Sequence, residues 1–327
     1  HNALAKVKNQ CQTMPYVLSV DMKDYFGTID PDIAYRELWH IGVKDQVILN
    51  YIYRFIKKGY YEASCKVEDP KGTPQGSILG PLISNVYLHR FDVWLRDQGD
   101  CWHDKSVAKF HYKYAKRTSL SKTNLKIGIH VRYADDILVL CKRYEDAVRF
   151  QYSVTKYLTN NMKLEINEDK TRIYDLTREK MKYLGYDFYA FKQQTPNVKK
   201  RGKLMVANTL PKAKEDEIVK QCGILLHNIK QHPTFETIHN WNIYVVGIHN
   251  YYKGMTHFSE SFSKEGWRIR KLFYHTMNGN VKFTEEQSSK NNFHGGCYSS
   301  WGKNGYYCFN GYPIIEIQWA NWDKGLI

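Results

Sequence analysis

Hydrophobic positions along this chain follow two periods. The run YVLSV (16–20) is a short β-branched stretch closed by Asp21, the pattern of a buried strand. Pro31-Asp32 opens a helical pattern, and Val47, Ile48, Tyr51, Ile52 and Phe55 recur at helical spacing until Gly59. Residues 70–76 (PKGTPQG) hold two prolines and two glycines and read as a loop. From Ser77 the spacing is helical again as far as Gln98. IGIHVRY (127–133) and ILVLC (137–141) predict two strands separated only by Ala134, Asp135 and Asp136, a hairpin with two carboxylates at its tip. An amphipathic helix is expected over 145–160, with short strands at 163–167, 171–175 and 182–189. The composition changes at 192–203, which predicts a domain boundary. Three helical patterns follow at 212–229, 235–253 and 260–277. The tail from Gly279 is rich in glycine and aromatics and reads as short strands.

The 327 residues suggest two domains or three. With 43% hydrophobic and 25% charged residues, the chain can bury a sizeable core, which excludes a disordered or collagen-like polymer. No stretch approaches the roughly 18 apolar residues of a membrane span, so no membrane partner is expected. Lysine and arginine number 48 against 33 acids, a net charge of +15 that calls for a polyanionic partner. The 26 tyrosines add rings suited to stacking on unpaired bases. None of the seven cysteines stands at C-x-x-C spacing, so no structural zinc site is indicated. Their odd number favours free thiols in a reducing compartment, and a cytoplasmic location is expected. The chain opens at His1-Asn2-Ala3-Leu4 without an initiator Met or a signal peptide, and reads as a fragment or a processed chain.

Two basic clusters stand out. Residues 104–126 carry Lys105, Lys109, Lys113, Lys116 and Arg117, among others, against the single acid Asp104. Such an insertion can grip an RNA backbone, or it can simply be a solvated loop. Lys199, Lys200 and Arg201 form the second cluster, able to track a nucleic-acid duplex or to keep a linker soluble. Farther on, Arg268, Arg270 and Lys271 lie where one helix face can line a nucleic-acid groove.

Three carboxylates carry the chemistry: Asp21 at a strand end, and Asp135 and Asp136 at the hairpin tip. If the strands are sheet neighbours, these groups converge. Clustered carboxylates oppose one another's ionisation unless cations neutralise them. Hard oxygen ligands of this kind suit Mg²⁺, which takes one or two carboxylates plus substrate phosphates. Two such ions ~4 Å apart serve in-line nucleotidyl transfer.

Asp21-Met22-Lys23-Asp24-Tyr25-Phe26, the loop Thr73-Pro74-Gln75-Gly76-Ser77 continuing to Gly80-Pro81, and the box Tyr133-Ala134-Asp135-Asp136 resemble successive motif blocks of reverse transcriptases. LEINEDKT (164–171) and YLGYDF (183–188) resemble the next two blocks, in order. TPQGSILGPLISNVYLHRFD (73–92), the basic insertion after it and IYVVGIHNYYKGM (243–255) are similar to group II intron-encoded reverse transcriptases, or maturases. NGYPIIEIQW (310–319) is similar to the region before their endonuclease domain.

The resemblance implies an α+β fold: a polymerase palm, antiparallel sheet backed by helices, with partial fingers, over 1–198. A helical thumb or maturase domain follows over 199–279, then a β-rich tail over 280–327 that starts a DNA-binding region. It implies an RNA-directed DNA polymerase that copies an RNA template from a DNA primer with dNTPs and two Mg²⁺ ions. It also implies binding of group II intron RNA to promote splicing, and retrohoming of the mobile element to a DNA target. Asp21, Asp135 and Asp136 would hold the metals, with the Met22 carbonyl as an extra ligand. Asp24 and Tyr25 would offer backbone N–H groups to the triphosphate. Phe26 would exclude a 2′-hydroxyl. Gln75 and Gly76 would contact the nucleotide, and Lys170 would neutralise or protonate the pyrophosphate. Leu184 and Gly185 would support the primer. Only 20 residues precede Asp21, so most of the family's fingers is missing, and no endonuclease motif follows Ile327. Two other readings stay open: a non-catalytic RNA-binding splicing cofactor, and another bacterial reverse transcriptase, such as a CRISPR-associated one.

Overall fold

β1 (Tyr16–Val20) buries Val17, Leu18 and Val20 and is followed by Asp21. It lies between β5 (Asp136–Cys141) and β6 (Arg172–Asp175), with β4 (Gly128–Tyr133) outside β5. All three pairings are antiparallel. Residues Ile137 to Cys141 are buried without alternation, as a strand covered on both faces requires. The structure is a computed structural model. It describes residues 2–57, 60–62, 65–67, 78–98, 128–192, 204–252, 254–256, 268–269, 271–277, 281–284, 306–309 and 312–314.

The chain divides into two units, 1–181 with 189–206, and 182–188 with 207–327. In the first, α6 (Tyr144–Met162) turns Ala147, Phe150, Val154, Leu158 and Met162 inward at helical spacing. They meet Leu18, Val20, Ile137 and Val139 of the sheet. The helices α2 (Pro31–His40), α4 (Gly80–Tyr87) and α5 (His89–Gln98) add Ile33, Ile83, Tyr87, Phe91 and Leu95 to this core. Helix α1 (Asn2–Gln10) lies against β4, where Lys6 Nζ donates to the His130 carbonyl. Helix α3 (Gln46–Lys57) packs on α2. A hairpin of β2 (Tyr60–Glu62) and β3 (Cys65–Val67) follows α3.

Asp30 joins three of these elements. Its carboxylate caps α2 by accepting from the N–H groups of Asp32 and Ile33, ahead of Pro31. It also takes a 2.7 Å hydrogen bond from Lys163 Nζ, just past α6. Beside it the Tyr87 hydroxyl donates to the Met162 carbonyl at 2.6 Å and accepts from the Asp30 N–H. Burial alone would raise the Asp30 pKa. The Lys163 bond and the capped N–H groups outweigh it and hold the carboxyl below the usual aspartate value. A carboxyl depressed in the folded state adds stability above its unfolded pKa and loses it as pH falls through the folded one. Asp30→Ala is therefore expected to cost about 1–3 kcal/mol near neutral pH. The difference from wild type should begin to narrow only as pH falls below about 4 and close once pH passes below the lowered folded pKa. Urea unfolding at both pH values measures it, and a pH-independent difference contradicts the assignment.

In the second unit, α7 (Lys212–Gln231) buries Ile218, Cys222, Leu226 and Ile229, and α8 (Phe235–Tyr252) buries Trp241, Val245 and Ile248. The Phe273 ring lies 5.9 Å from that of Trp241. The strands β10 (Val281–Thr284), β11 (Tyr306–Phe309) and β12 (Tyr312–Ile314) form an antiparallel sheet. A further sheet has the order β7 (Met181–Tyr183), β8 (Tyr186–Lys192), β9 (Leu204–Thr209), and the chain passes between the two units within these strands.

The expected mixture of an antiparallel sheet with helices is present, so the α+β class holds. Four local expectations change. The helix from Ser77 is two helices, broken at Leu88, whose N–H is shared between the Ser84 and Val86 carbonyls. The strand at 163–167 shrinks to one bridge, Met22 with Ile166, because a turn at 167–171 interrupts the pairing beside β1. The strand at 182–189 is two strands, folded back at Leu184-Gly185, both with positive φ. Finally, β9 and the β2–β3 hairpin form where no strand was expected. Among the described residues no helix is long and apolar enough to cross a membrane. Cys11, Cys141 and Cys222 are buried free thiols.

Candidate active site

Register brings the acidic groups together. The β1–β5 ladder ends at Val20 opposite Ile137. Extending that register by one step would set Asp21 opposite Asp136, where antiparallel positions have Cβ atoms ~5 Å apart, and the Asp21 charge does act on Asp136. Asp135 sits in the two-residue turn that joins Tyr133 to Asp136. Asp21 is half-buried, and Asp135 and Asp136 are exposed as residues, although the Asp136 carboxyl is partly withdrawn from water. Loss of water around Asp136, then the nearby charges of Asp135 and Asp21, push its carboxyl above the usual aspartate value.

The backbone of Asp21 is fixed on its other side. Its N–H donates to Thr171 Oγ1 at 3.1 Å, and its carbonyl accepts from the Asn167 N–H at 2.9 Å. The Lys23 N–H donates to the Glu165 carbonyl. Met22 and Ile166 are thus a pair flanked by hydrogen bonds rather than bonded to each other. Antiparallel geometry then turns the Met22 carbonyl toward the β5 edge, where the hairpin carboxylates lie. Lys170 is exposed on the 167–171 turn that holds Asp21.

Asp24 adopts φ +39, and its carboxylate folds over Gly27, where an added Cβ would stand 2.0 Å from Oδ2. Glycine is required there by this close approach. Tyr25 is buried and donates to the Ser84 carbonyl at 2.6 Å. Phe26, in the 3₁₀ turn Phe26–Thr28, is half-buried against the core with its ring 5.4 Å from that of Tyr25.

Among the described residues the non-glycine positive φ angles fall at Asp24, Ala134, Lys163 and Leu184. Lys163 is an ordinary helix cap. The other three lie in motif blocks, and each costs roughly 1–2 kcal/mol that the surroundings must hold. In the second unit Tyr251 Oη donates to the Leu184 carbonyl at 3.0 Å, and Tyr186 Oη donates to the Tyr251 carbonyl. Helix α8 thereby secures the Leu184-Gly185 turn.

Among the described residues no three His, Cys, Asp or Glu side chains form a ready-made ion cage. The donor set still fits a divalent cation completed by substrate phosphates, since repelling carboxylates are what such an ion relieves. Gln75, Gly76, Lys105, Lys109, Lys113, Lys116, Arg117, Lys199, Lys200, Arg201 and Arg270 lie outside the described residues. Arg268 is half-exposed and pairs with Asp216 at 3.4 Å, and Lys271 is exposed. Sequence reasoning gave Arg132, Asp92, Asn85 and Thr171 no role, although Asn85, Asp92 and Thr171 lie within the motif stretches and Arg132 abuts one; only tertiary contacts show what they hold.

The comparisons decide the family. The model of the reverse transcriptase (RNA-dependent DNA polymerase) family matches residues 2–188. The chain belongs to the reverse transcriptase family. It is 27% identical over 212 residues to the putative COX1/OXI3 intron 1 protein of Saccharomyces cerevisiae, covering 57% of this chain and 25% of that one. The group II intron-encoded protein LtrA of Lactococcus lactis is 27% identical over 241 residues, 62% of this reverse transcriptase chain and 39% of LtrA. The chain thus spans well under half the length of these two relatives. The likeness to group II intron-encoded proteins read from the motifs stands. A structure of apo telomerase from Candida tropicalis aligns over 84% of this chain and 49% of that one, with 11% identity and a TM-score of 0.41.

Proposed function

We propose that this chain is the polymerase part of a group II intron-encoded protein that extends a DNA primer on an RNA template. We further propose that it binds the intron RNA to promote splicing and serves retrohoming to a DNA target. The observation that supports the reading is the register of β1 on β5, which ends one step short of Asp21 and Asp136, together with the charges of Asp135 and Asp21 acting on Asp136, in a member of this family. Those carboxylates hold two Mg²⁺ ions, aided by the Met22 carbonyl. The ions, when bound, supply Lewis-acid activation of the primer 3′-hydroxyl and stabilise the leaving oxygen.

The protein's own groups do the rest. Asp24 and Tyr25 present N–H groups to the triphosphate. Phe26 walls off the 2′ position of the sugar, and Lys170 neutralises the departing pyrophosphate. The strained Leu184-Gly185 turn supports the primer strand. Gln75, Gly76 and the basic clusters contact nucleotide and RNA backbone.

The test is primer extension by the complete protein on an RNA template with dNTPs, with Mg²⁺ and with a chelator. Extension only with Mg²⁺ is expected, and extension unchanged by chelation overturns the reading. A parallel splicing assay with Asp135 and Asp136 replaced should retain splicing. Loss of splicing in step with polymerisation, in a folded variant, contradicts a separate RNA-binding role.

A further inference from the structure

The hairpin that bears Asp135 and Asp136 has a built-in defect. Its first loop residue, Ala134, holds φ +53 without being glycine. In two-residue hairpins such positions favour Gly, Asn or Asp, so Ala134 strains the turn. Something must hold it.

Arg132, at the end of β4, makes five hydrogen bonds around its guanidinium. Nε donates to both Asp92 oxygens, at 2.8 and 3.1 Å, and Nη2 donates to Asp92 Oδ2 at 2.6 Å. Nη1 donates to Asn85 Oδ1 at 3.1 Å and to the Ala134 carbonyl at 2.8 Å. The Arg132 side chain is only 12% exposed and that of Asp92 26%, so solvent competes weakly for the pair. A planar guanidinium can serve Asp92, Asn85 and a turn carbonyl in one plane, which an ammonium cannot.

The anchor is itself shared. Ser84 and Asn85 are consecutive residues of α4. The Ser84 carbonyl accepts from Tyr25, four residues after Asp21, and Asn85 accepts from Arg132. One turn of α4 therefore holds both carboxylate-bearing segments.

We propose that Arg132, backed by Asp92 and Asn85, is a positioning residue that clamps the strained Ala134 turn and so sets Asp135 and Asp136 opposite Asp21. This rests on the polymerase reading of that site. Arg132 touches no substrate; it acts through the turn. Groups that orient metal-site ligands typically cost about 10–100-fold in affinity or activity when lost.

The test uses the complete protein with Arg132→Lys, Asn85→Ala, and Arg132→Lys combined with Ala134→Gly. Arg132→Lys should lower kcat about 10–100-fold, with the KM for primer–template unchanged. It should also speed amide hydrogen exchange at 133–136 and weaken Mn²⁺ binding measured by calorimetry without primer. Glycine adopts positive φ freely, so Ala134→Gly in that background should restore at least half of the lost rate in logarithmic terms. An Arg132 that only stabilises the fold would not be rescued this way.

A kcat within twofold of wild type, or no rescue by Ala134→Gly, overturns the proposal. If Arg132→Lys does not fold, Asn85→Ala decides, since that helix position is solvent-exposed. A severalfold fall in kcat at constant KM supports the clamp, and no change refutes it. If the wild-type protein extends no primer, the polymerase reading fails by itself. Faster exchange and weaker Mn²⁺ binding would then still support the clamp, and their absence would overturn it.

Discussion

Asp135→Ala is expected to slow primer extension by about three decades or more while leaving the protein folded. Electrostatic stabilisation of a transferring phosphoryl group is the largest contribution such a site makes, and losing a metal carboxylate removes several kcal/mol of it. The fold has little to lose. Asp135 is exposed in a tight turn, and β5 is held by its buried run from Ile137 to Cys141. Mutual repulsion adds a second, opposite effect. Asp136 stands near Asp135 and Asp21, whose charges disfavour its own. Asp136→Asn should therefore leave the melting temperature without metal unchanged or raise it, even as extension collapses. Mg²⁺ should raise the melting temperature of wild type and not that of the variant. Single-turnover extension and thermal melts with and without Mg²⁺ measure both effects. A variant that extends primers at the wild-type rate would remove these aspartates from the chemistry.

The second large effect concerns the sugar. Phe26 follows Asp24 and Tyr25 in a 3₁₀ turn and packs against the core while staying partly exposed. In the proposed site a ring fixed this way would reject a 2′-hydroxyl by bulk alone. Phe26→Val keeps the core contact and shortens the wall. The ratio of kcat/KM for dCTP over CTP should fall about 10–200-fold, the range a local fit in a binding pocket supplies. Incorporation of dCTP itself should change little. An unchanged ratio would leave Phe26 as packing only.

Much of the local architecture was legible in residue patterns. YVLSV closed by Asp21 is β1, the ILVLC run is the buried strand β5, and the short gap between strands predicted the hairpin. Pro31 marked the start of α2. The failures share a cause. The strand expected at 163–167 has the right residues, yet the 167–171 turn that holds Asp21 interrupts its pairing. The single strand expected over 182–189 folds at Leu184, a residue no turn rule favours, because Tyr251 secures the turn from far along the chain.

By itself the sequence determined which residue types are available and where: three aspartates at strand ends, an aromatic after Asp24, and the periods that make strands and helices. These follow from local sterics and hydrophobic spacing, which neighbouring residues settle among themselves. Tertiary structure alone decided that β1 lies between β5 and β6, which brings Asp21 near enough for its charge to act on Asp136. It also decided that Thr171 fixes Asp21 and that Arg132 binds Asp92 and the Ala134 turn. Partners 40 and 150 positions apart meet only after the sheet has buried its faces, and no local rule specifies which distant group will satisfy a given donor.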